Sequence, residues 1–572
     1  MVDYELLKKN PFYLKEDQIE WVKKTLEGMS QEEKIGQLFC PVAYSGDKES
    51  LDNLVHKYKV GGIMGRAMPA QELCEVISYL QNKAQIPLLV AANFEAGGDG
   101  LIEQGTNVGP ELMVAATGDP EYAGKLGMVC AREGLAVGAN WAFAPIVDIE
   151  RNWRNPIMGT RLFGADPDMV RKCSVEYTVA VQKEGMAASI KHFPGDGCDE
   201  RDQHLMTTIN DLSCEEWMDT YGAVYKACID AGALTLMVGH IMQPEWTRRL
   251  CPGIRDEDIM PATLAPELIQ TLLREILGFN GLITTDASTM AGMIIPMERE
   301  KAVPYTIAAG CDVFLFTKNM GEDYEYMTKG VENGVITKER LDEAVMRILG
   351  TKAALHLPEK KESGQLTFDY DDAKKVIGCD LHKKIELEVA DLSATLVKNL
   401  DHILPLDPQK YRRILLYPLC TNPSAIGFPI TDDVPGTMKS ALEKEGFQVT
   451  VFEQGMGREG RQDRYDKMKK DYDLLLYVAN MITRSNQTVV RICWTPPMGL
   501  DVPKYIASVP TVFVSFANPY HLVDAPRIRT FINAYKFKES SVNAVIDKLL
   551  GRSEFKGVSP VDAFCGKWDT HL

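Results

Sequence analysis

Two short segments of this sequence carry residue types that could catalyse a reaction. In KHFPGDGCDERDQH, at 191–204, the carboxylate of Asp202 precedes the imidazole of His204 by two positions. On a loop, this spacing lets the carboxylate orient the imidazole, fix its tautomer and stabilise the imidazolium that forms on proton uptake. The segment is therefore suited to acid/base chemistry, although a solvated acidic loop with an incidental histidine explains the spacing equally well.

The second segment, GLITTDASTM at 281–290, places Asp286 directly after an apolar run. A carboxylate at a strand end can point into an active site and act as a nucleophile. Aspartate at a strand-to-helix junction is also a common helix N-cap, and position alone favours the cap. Asp286 is thus a candidate nucleophile whose role depends on the elements around it.

Eight apolar runs alternate with helix-period stretches up to about residue 355, which indicates parallel strands joined by crossover helices. The runs are KIGQLFCPV, VGGIMGR, PLLVAANFEA, NWAFAPIVDI, AASIKHFPG, ALTLMVGHI, GLITTDAS and CDVFLFT, and they begin at Lys34, Val60, Pro87, Asn140, Ala187, Ala233, Gly281 and Cys311. Eight strands close a (β/α)8 barrel. The sequence therefore predicts an α/β fold whose first part is a TIM-like barrel.

Polar residues follow several of these runs, at the strand ends that form the active-site face of a barrel. They are Glu95, Asp148, Lys191, His192, His240 and Asp286. For any one of them, the start of a loop is an equally good explanation. Six together favour one shared site.

The remainder of the chain predicts a second domain. HLPEKKESGQLTFDY, at 356–370, is polar without an apolar period and is typical of a linker; a helix-like stretch then runs to about residue 399. Beyond it, RRILLYPL, YDLLLYVAN, PTVFVSFANPY and RTFINAY are strand-like. We predict a catalytic barrel at 1–355, a linker and connecting helix at 356–399, and a smaller α/β sandwich domain at 400–572.

Composition excludes several classes of partner. The formal net charge of -17 disfavours nucleic acid and anionic membranes, and no apolar run reaches the length of a membrane span. The N-terminus lacks the pattern of a secretory signal, and the thirteen cysteines are scattered without paired spacing. We expect a cytoplasmic protein with reduced thiols, and the sequence leaves open whether it forms a homo-oligomer.

Metal binding is a competing use of some of the same side chains. The residues in question are Asp148, His192, Asp196, Asp199, Asp202, His204 and His240. Their spacing matches neither a zinc-binding HExxH helix nor a calcium loop, so no metal site and no cofactor are expected. VGGIMGR lacks the lysine-serine pair of a phosphate loop and is better explained as a tight turn.

Taken together, these segments resemble glycoside hydrolase family 3, and specifically its bacterial β-N-acetylglucosaminidase-like branch. KHFPGDG with Asp202 and His204 is similar to the branch's KHFPGHG followed by Asp-x-His. GLITTDASTM is similar to its nucleophile signature, which places an aspartate after a Gly-Val-Ile-type strand and before Ser/Thr-Met. APIVDI, GTRLFGADP, MVGHI and PATLAPELI, which begin at 144, 159, 237 and 261, are further family-like pieces in the same order.

The resemblance implies roles for individual residues. Asp286 would be the nucleophile, and His204 with Asp202 would be the acid/base. Residues that would bind the sugar or line its pocket are Arg161, Lys191, His192, Asn93, Glu95, Asp148, His240 and Met290. Two departures touch that pocket: Asp196 stands where the branch has histidine, and Asn93 stands where a sugar-binding aspartate is expected. They leave both glucose and N-acetylglucosamine open as the donor sugar.

Whether the acid/base is a histidine or a carboxylate affects which acceptor can attack the intermediate. A retaining enzyme forms a glycosyl-enzyme ester that an acceptor then breaks with base assistance. A carboxylate base about 4 Å from an anionic acceptor repels it by about 4 kcal/mol at an effective dielectric constant near 20, whereas a histidine base is neutral. Asp202, one step beyond the imidazole, weakens this contrast. We therefore predict a β-glycoside phosphorylase with inorganic phosphate as co-substrate.

Three alternatives remain at this point. Hydrolysis by a β-glucosidase or β-N-acetylhexosaminidase, with water as acceptor, is the first. A barrel lyase or aldolase that uses Lys191 as a Schiff base is the second, since barrels support many chemistries. A carbohydrate-binding protein without activity is the third, and the presence of both nucleophile and dyad argues against it.

Overall fold

The computed structural model describes residues 2–43, 46–421, 432–453, 465–488, 490–496 and 499–572. The chain forms two compact units. The first comprises Met1–Asn107, Ala123–Arg151 and Asp166–Lys383, and the second comprises Val108–Tyr122, Asn152–Ala165 and Lys384–Leu572. Two segments from within the predicted barrel region, 108–122 and 152–165, thus belong to the second unit.

Every one of the eight predicted apolar runs contains a strand of the first unit. The strands of this unit are β1 (Phe39–Cys40), β2 (Val42–Ala43), β3 (Gly62–Gly65), β4 (Leu89–Ala92), β5 (Trp141–Ala142), β6 (Ala187–Phe193), β7 (Thr208–Ile209), β8 (Thr235–Val238), β9 (Ile241–Met242), β10 (Leu282–Thr285) and β11 (Phe314–Leu315). The short strands β7 and β9 pair with each other outside the main sheet.

The strand pairings close a ring. Strands β2, β3, β4, β5, β6, β8 and β10 form a parallel sheet in that order. β1 pairs in parallel with β11, and a parallel bridge between Thr284 and Val313 joins the β11 run to β10. Because β1 and β2 lie in one apolar run, these pairings close the circle, and the predicted (β/α)8 barrel is confirmed.

Burial explains why the barrel strands read as continuous apolar runs. All seven residues of β6 are buried, and so are all four of β4 and of β10. Strands of a parallel sheet that is covered on both faces lack the alternation of a half-exposed sheet. The helices show the complementary pattern: Glu16–Gly28 buries Ile19, Val22 and Leu26, at the spacing of one helical face.

The helices follow the strands in the expected alternation. Their bounds are Tyr4–Lys8, Glu16–Gly28, Gln31–Gln37, Lys48–Asp52, Asn53–Lys57, Ala70–Lys83, Gly98–Gly100, Glu111–Ala115, Glu121–Ala136, Pro167–Lys183, Cys214–Trp217, Met218–Gly222, Ala223–Asp230, Pro244–Leu250, Asp256–Asp258, Ala262–Leu264, Glu267–Ile276, Ala291–Ile294, Arg299–Ala309, Met320–Glu332, Lys338–Ala354, Leu357–Glu362, Tyr370–Val376, Asp380–Ser393, Val434–Lys444, Tyr465–Asp471, His521–Val523, Glu539–Leu549 and Trp568–His571. Among the described residues, none of these helices combines the length and the hydropathy needed to span a bilayer.

The segment expected to be a linker contains a helix. Leu357–Glu362 has Pro358 in its first turn, where the missing N–H of proline costs nothing. Only Leu357 and Pro358 of this helix are buried, so it has too few apolar residues to show a period.

The second unit contains one mixed sheet of six strands. These are β12 (Thr395–Asn399), β13 (Arg413–Cys420), β14 (Gln448–Val451), β15 (Leu474–Asn480), β16 (Thr511–Ser515) and β17 (Thr530–Asn533). Their order is β12-β17-β16-β15-β13-β14, with β12 antiparallel to β17 and the others parallel. The four predicted strand-like runs are β13, β15, β16 and β17. Residues 395–399, within the segment expected to be helical, form β12 instead.

Alternate side chains of the second sheet enter two separate cores. In β13, Ile414 and Leu416 belong to one hydrophobic cluster, and Leu415 and Tyr417 belong to the other. This is the period of two expected of a strand that is covered on both faces. The predicted α/β sandwich is confirmed.

Candidate active site

Asp286 follows the last residue of β10 directly. Its backbone N–H donates to the carbonyl oxygen of Val238 at the end of β8 (2.8 Å), and its Oδ1 accepts from the N–H of Ala287 (2.7 Å). The next helix, Ala291–Ile294, has Met290 at its N-cap position and no side-chain cap. The alternative in which Asp286 caps a helix is therefore wrong.

The electrostatic environment keeps Asp286 ionised. Burial raises the pKa of this carboxyl, but the imidazoles of His192, His240 and His204 and the N–H of Ala287 outweigh burial and leave the pKa below its ordinary value. A carboxylate that is charged at neutral pH can act as a nucleophile.

His204 and Asp202 form the dyad that their spacing suggests. Nδ1 of His204 lies 2.7 Å from Oδ1 of Asp202, which also accepts from the His204 backbone N–H at 2.9 Å. The Asp202 side chain is fully buried, whereas that of His204 is 27% exposed. Because the carboxylate engages Nδ1, Nε2 is the ring nitrogen that can exchange a proton with a ligand.

The dyad loop is hydrogen-bonded to the loop that follows β10. The N–H of Ala291 donates to the carbonyl of His204 (3.1 Å), and the N–H of Gly292 donates to the carbonyl of Gln203 (3.2 Å). Oε1 of Gln203 accepts from the backbone N–H of His240 (2.8 Å). These bonds hold the His204–Asp202 pair against the two segments that carry Asp286 and His240.

Lys191 and His192 lie in the last three residues of β6, and each is paired with a buried or half-buried carboxylate. Nζ of Lys191 donates to Oε1 of Glu95 (2.7 Å), and Nδ1 of His192 lies 2.7 Å from Oδ2 of Asp148. The Lys191 side chain is thus held in a buried ion pair, with 3% of its surface exposed. A charged lysine and an oriented imidazole are suitable donors to sugar hydroxyls.

Two further ionisable groups of the site favour their neutral forms. Burial lowers the pKa of His240, and although Asp286 opposes the shift, the pKa stays below its ordinary value. The ring lies 2.9 Å from Thr263 Oγ1 and 3.1 Å from the carbonyl of Ala287. For Asp196, burial and the neighbouring Asp148 raise the carboxyl pKa well above its usual range.

The remaining candidate residues are distributed over both units. Asn93 is exposed directly after β4, and Met290 is buried beside the loop after β10. Arg161 belongs to a segment of the second unit, where its N–H donates to the carbonyl of Met158. In the described part of the chain, no group of three or more histidine, cysteine, aspartate or glutamate side chains is arranged to hold a metal ion.

Sequence reasoning missed two residues that support the site. Gln203, the middle residue of the Asp-x-His motif, is fully buried, and its position inside the motif was the available signal. The hydroxyl of Tyr221 lies within hydrogen-bond distance of the carbonyls of Asp196 (2.8 Å) and Ile149 (3.0 Å), and its one proton can be donated to either, which anchors the KHFPGDG turn. Its partners lie 25 or more residues away in sequence, and no local pattern marks them.

Comparison with known proteins gives concordant results. The model of the glycosyl hydrolase family 3 N-terminal domain matches residues 30–351. A β-N-acetylglucosaminidase/β-glucosidase from Cellulomonas fimi is 48% identical over 568 residues, which cover 98% of this chain and 99% of the relative. A solved β-glucoside phosphorylase, BglX, superposes with a TM-score of 0.93 at 45% identity and 99% coverage of both chains. The same enzyme bound to 2FGlc gives a TM-score of 0.93 at 45% identity and covers 98% of this chain and 100% of that chain. The resemblance is thereby confirmed, and the chain belongs to glycoside hydrolase family 3.

Proposed function

We propose that this protein is a retaining β-glycoside phosphorylase that works by double displacement through a glycosyl ester on Asp286. The observation that carries the proposal is the 2.7 Å contact between His204 Nδ1 and the buried carboxylate of Asp202, on a loop bonded to the Asp286 segment. This arrangement supplies a neutral base and a nucleophile on neighbouring loops.

In the first displacement, a carboxylate oxygen of Asp286 attacks the anomeric carbon and the glycosidic C–O bond breaks. Protonated His204 gives its Nε2 proton to the departing oxygen. Asp202 stabilises the imidazolium form from which that proton leaves.

In the second displacement, an acceptor oxygen attacks the same carbon and the ester bond to Asp286 breaks, which regenerates the carboxylate. Neutral His204 takes the acceptor's proton at Nε2. Because both steps invert the anomeric carbon, the product keeps the β configuration of the substrate.

The acceptor proposal depends on charge. A neutral imidazole lacks the repulsion of about 4 kcal/mol that a carboxylate base about 4 Å away would impose on phosphate. Asp202 keeps a negative charge behind the ring, which reduces this advantage. The similarity to a β-glucoside phosphorylase at 45% identity over 99% of the chain supports phosphate as the acceptor.

For the donor sugar, we propose glucose, with tolerance of N-acetylglucosamine. The relative from C. fimi is named for both sugars, and the solved relative is named for β-glucosides. Donor contacts are assigned to Lys191, His192 and Asn93, and further to Glu95, Asp148, His240 and Met290.

Hydrolysis is the second candidate, because the relative from C. fimi is named as a glycosidase. The discriminating experiment measures turnover of nitrophenyl β-glucoside and β-N-acetylglucosaminide, each with and without phosphate. We expect the rate with the glucoside to rise and saturate with phosphate. His204→Glu replaces the imidazole by a carboxylate base. The turnover rate of this variant should no longer depend on phosphate, and its product should be free sugar. A wild-type rate indifferent to phosphate would establish a hydrolase.

A further inference from the structure

A second cavity lies at the opposite end of the barrel from Asp286. It has a volume of about 690 Å³ and is lined in part by Gln37, Val60 and Leu88, which precede the strands β1, β3 and β4. Asp286 and Asn93, in contrast, follow the carboxyl ends of β10 and β4. We call this feature the basal cavity; it is separate from the proposed donor pocket.

The basal cavity has the size and the apolar wall of a small-molecule site. Its volume falls within the range of roughly 300–1,000 Å³ that is typical of ligand pockets. Trp21, Met29, Ile86 and Pro358 contribute apolar surface to its lining. The wall can therefore accommodate an aromatic or aliphatic part of a ligand.

The charge of the lining is opposite in sign to that of the whole protein. Lys24, Lys59, Lys83 and Lys361 line the cavity together with only two glutamates, Glu33 and Glu362, in a chain whose formal net charge is -17. A local positive excess in a negative protein concentrates small anions at this surface.

Two of these lysines have no charged partner among the residues that the structure describes. Nζ of Lys59 lies 2.9 Å from Glu33, but within the described part of the chain neither Lys83 nor Lys361 has a carboxylate within 4.0 Å. Nζ of Lys361 donates to the carbonyl of Gln81 (2.6 Å), and burial lowers its pKa. An anion in the cavity would offset the cost of burying this ammonium group without a counter-ion.

The backbone at Lys59 is a further unusual feature of the lining. Its φ of 51° lies in the left-handed region, which is strained for a residue that carries a Cβ. Strained residues of this kind concentrate at binding sites.

We infer that the basal cavity binds a nucleoside phosphate, that is, a small molecule with phosphate groups and a planar ring. Lysine ammonium groups are compact point charges that suit phosphate oxygens, and Trp21 offers an aromatic surface for the ring. A sugar phosphate would satisfy only the lysines, and a neutral nucleoside would satisfy only the apolar wall.

The test is calorimetric titration of the full-length protein with ADP in the absence of divalent cations. We expect one saturable site, with adenosine and ribose 5-phosphate each binding at least about tenfold more weakly. Lys83→Glu and Lys361→Glu should each weaken ADP binding about tenfold or more, since a charge-assisted hydrogen bond is lost. Trp21→Leu should weaken the binding of ADP but not that of ribose 5-phosphate.

Lys301→Glu is the matched control, because this lysine side chain is 73% exposed and lies outside the cavity. It makes the same charge change and should leave ADP affinity unaltered. Lys83→Gln and Lys361→Gln are measured in parallel. If thermal unfolding shows that one of the glutamate variants is not folded, the glutamine variant at the same position takes its place in the test.

Three results would overturn the inference. The first is no saturable heat with ADP up to millimolar concentration. The second is an equal loss of affinity in Lys301→Glu, which would reflect the general field of the protein. The third is unaltered ADP affinity in the folded Lys83 and Lys361 variants, which would place the bound nucleotide elsewhere.

Discussion

At the scale of single residues, the properties of the candidate site depend on how neighbouring groups shift the pKa of Asp286 and orient the ring of His204. The pKa of Asp286 falls below its ordinary value because nearby imidazoles and one backbone N–H outweigh burial. The carboxylate therefore stays charged as pH falls to the ordinary carboxyl range. His204 is oriented by Asp202 through Nδ1, which leaves Nε2 as the ring nitrogen that can exchange a proton.

Replacement of Asp286 by alanine should reduce turnover to background, because the described residues that follow β10 up to Met290 include no second carboxylate that could form the ester. A 2-deoxy-2-fluoro glycoside, which slows release of the ester, should label Asp286 in the wild type, as peptide mass mapping would show. Asp286→Asn is the isosteric control and should be equally inactive. Label on a different residue would refute the assignment.

Replacement of His204 by alanine should separate substrates by leaving group. Glycosides with poor leaving groups need the proton, so their turnover should fall by about 10²–10⁴-fold, whereas activated aryl glycosides should be affected far less in the first step. Asp202→Ala should show the same pattern more weakly. The measurement is kcat/KM across a leaving-group series; equal losses throughout would exclude His204 as the acid.

At the scale of elements, close backbone contacts fix the position of the dyad. A Cβ added at Gly292 would lie 2.6 Å from the Gln203 carbonyl oxygen and 3.1 Å from that of Met206. Both atoms belong to the dyad loop, so alanine at this position must displace the loop that carries His204. Glycine is needed here for close approach rather than for a left-handed backbone.

Gly292→Ala should therefore lower turnover of poor-leaving-group glycosides by about 10²-fold, the size of effect that follows a displacement of about 1 Å. Gly28→Ala is the matched control, since a Cβ at Gly28 meets no atom within 4 Å. Steady-state rates of both variants, at similar unfolding midpoints, check the prediction. Wild-type rates in Gly292→Ala would show that the dyad tolerates this displacement.

A buried carboxylate joins three segments of the first unit. Oε1 of Glu133 accepts from Thr106 Oγ1 (2.6 Å) and the Gly378 N–H (2.9 Å) and lies 2.7 Å from His382 Nδ1. Burial raises the pKa of Glu133, but these hydrogen bonds outweigh it, and the pKa lies below its ordinary value. Since the folded-state pKa is depressed, this stabilisation is present at neutral pH and is lost as pH falls through that pKa.

Glu133→Gln should thus destabilise the protein by about 3 kcal/mol at pH 7, and the difference from wild type should shrink in acid. Thermal unfolding midpoints measured from pH 7 to well below the ordinary glutamate pKa of about 4.3 test this directly. Glu325→Gln, at a glutamate that is 62% exposed, should change the midpoint little at any pH. A Glu133→Gln deficit that stays constant over this range would contradict the pKa argument.

At the scale of the whole molecule, the sequence predicts elements better than their assembly. Continuous apolar segments of the sequence identify the strands of the barrel and four strands of the second sheet. Burial on both faces makes almost every residue of such a strand apolar, which is easy to recognise in the sequence. The sequence predicts helix over β12 because this strand directly follows the helix Asp380–Ser393 and its pairing partner β17 is distant in sequence.

The assignment of 108–122 and 152–165 to the second unit could not be predicted, because it depends on long-range packing. Gly164, for example, approaches Pro560, and Trp153 packs 6.2 Å from Tyr520. The candidate site shows the same difference between local and long-range features. Asp202, His204 and Asp286 lie in short motifs that the sequence alone reveals. The contacts of Gln203 and Tyr221 are visible only in the folded chain.

The identity of the acceptor is the central claim about the whole protein, and the product formed from a β-glucoside in the presence of phosphate tests it most directly. If phosphate outcompetes water for the ester on Asp286, phosphorus NMR should show β-glucose 1-phosphate as the main product, formed at the rate of aglycone release. Free glucose as the only product at millimolar phosphate, or an α-configured sugar phosphate, would contradict the account.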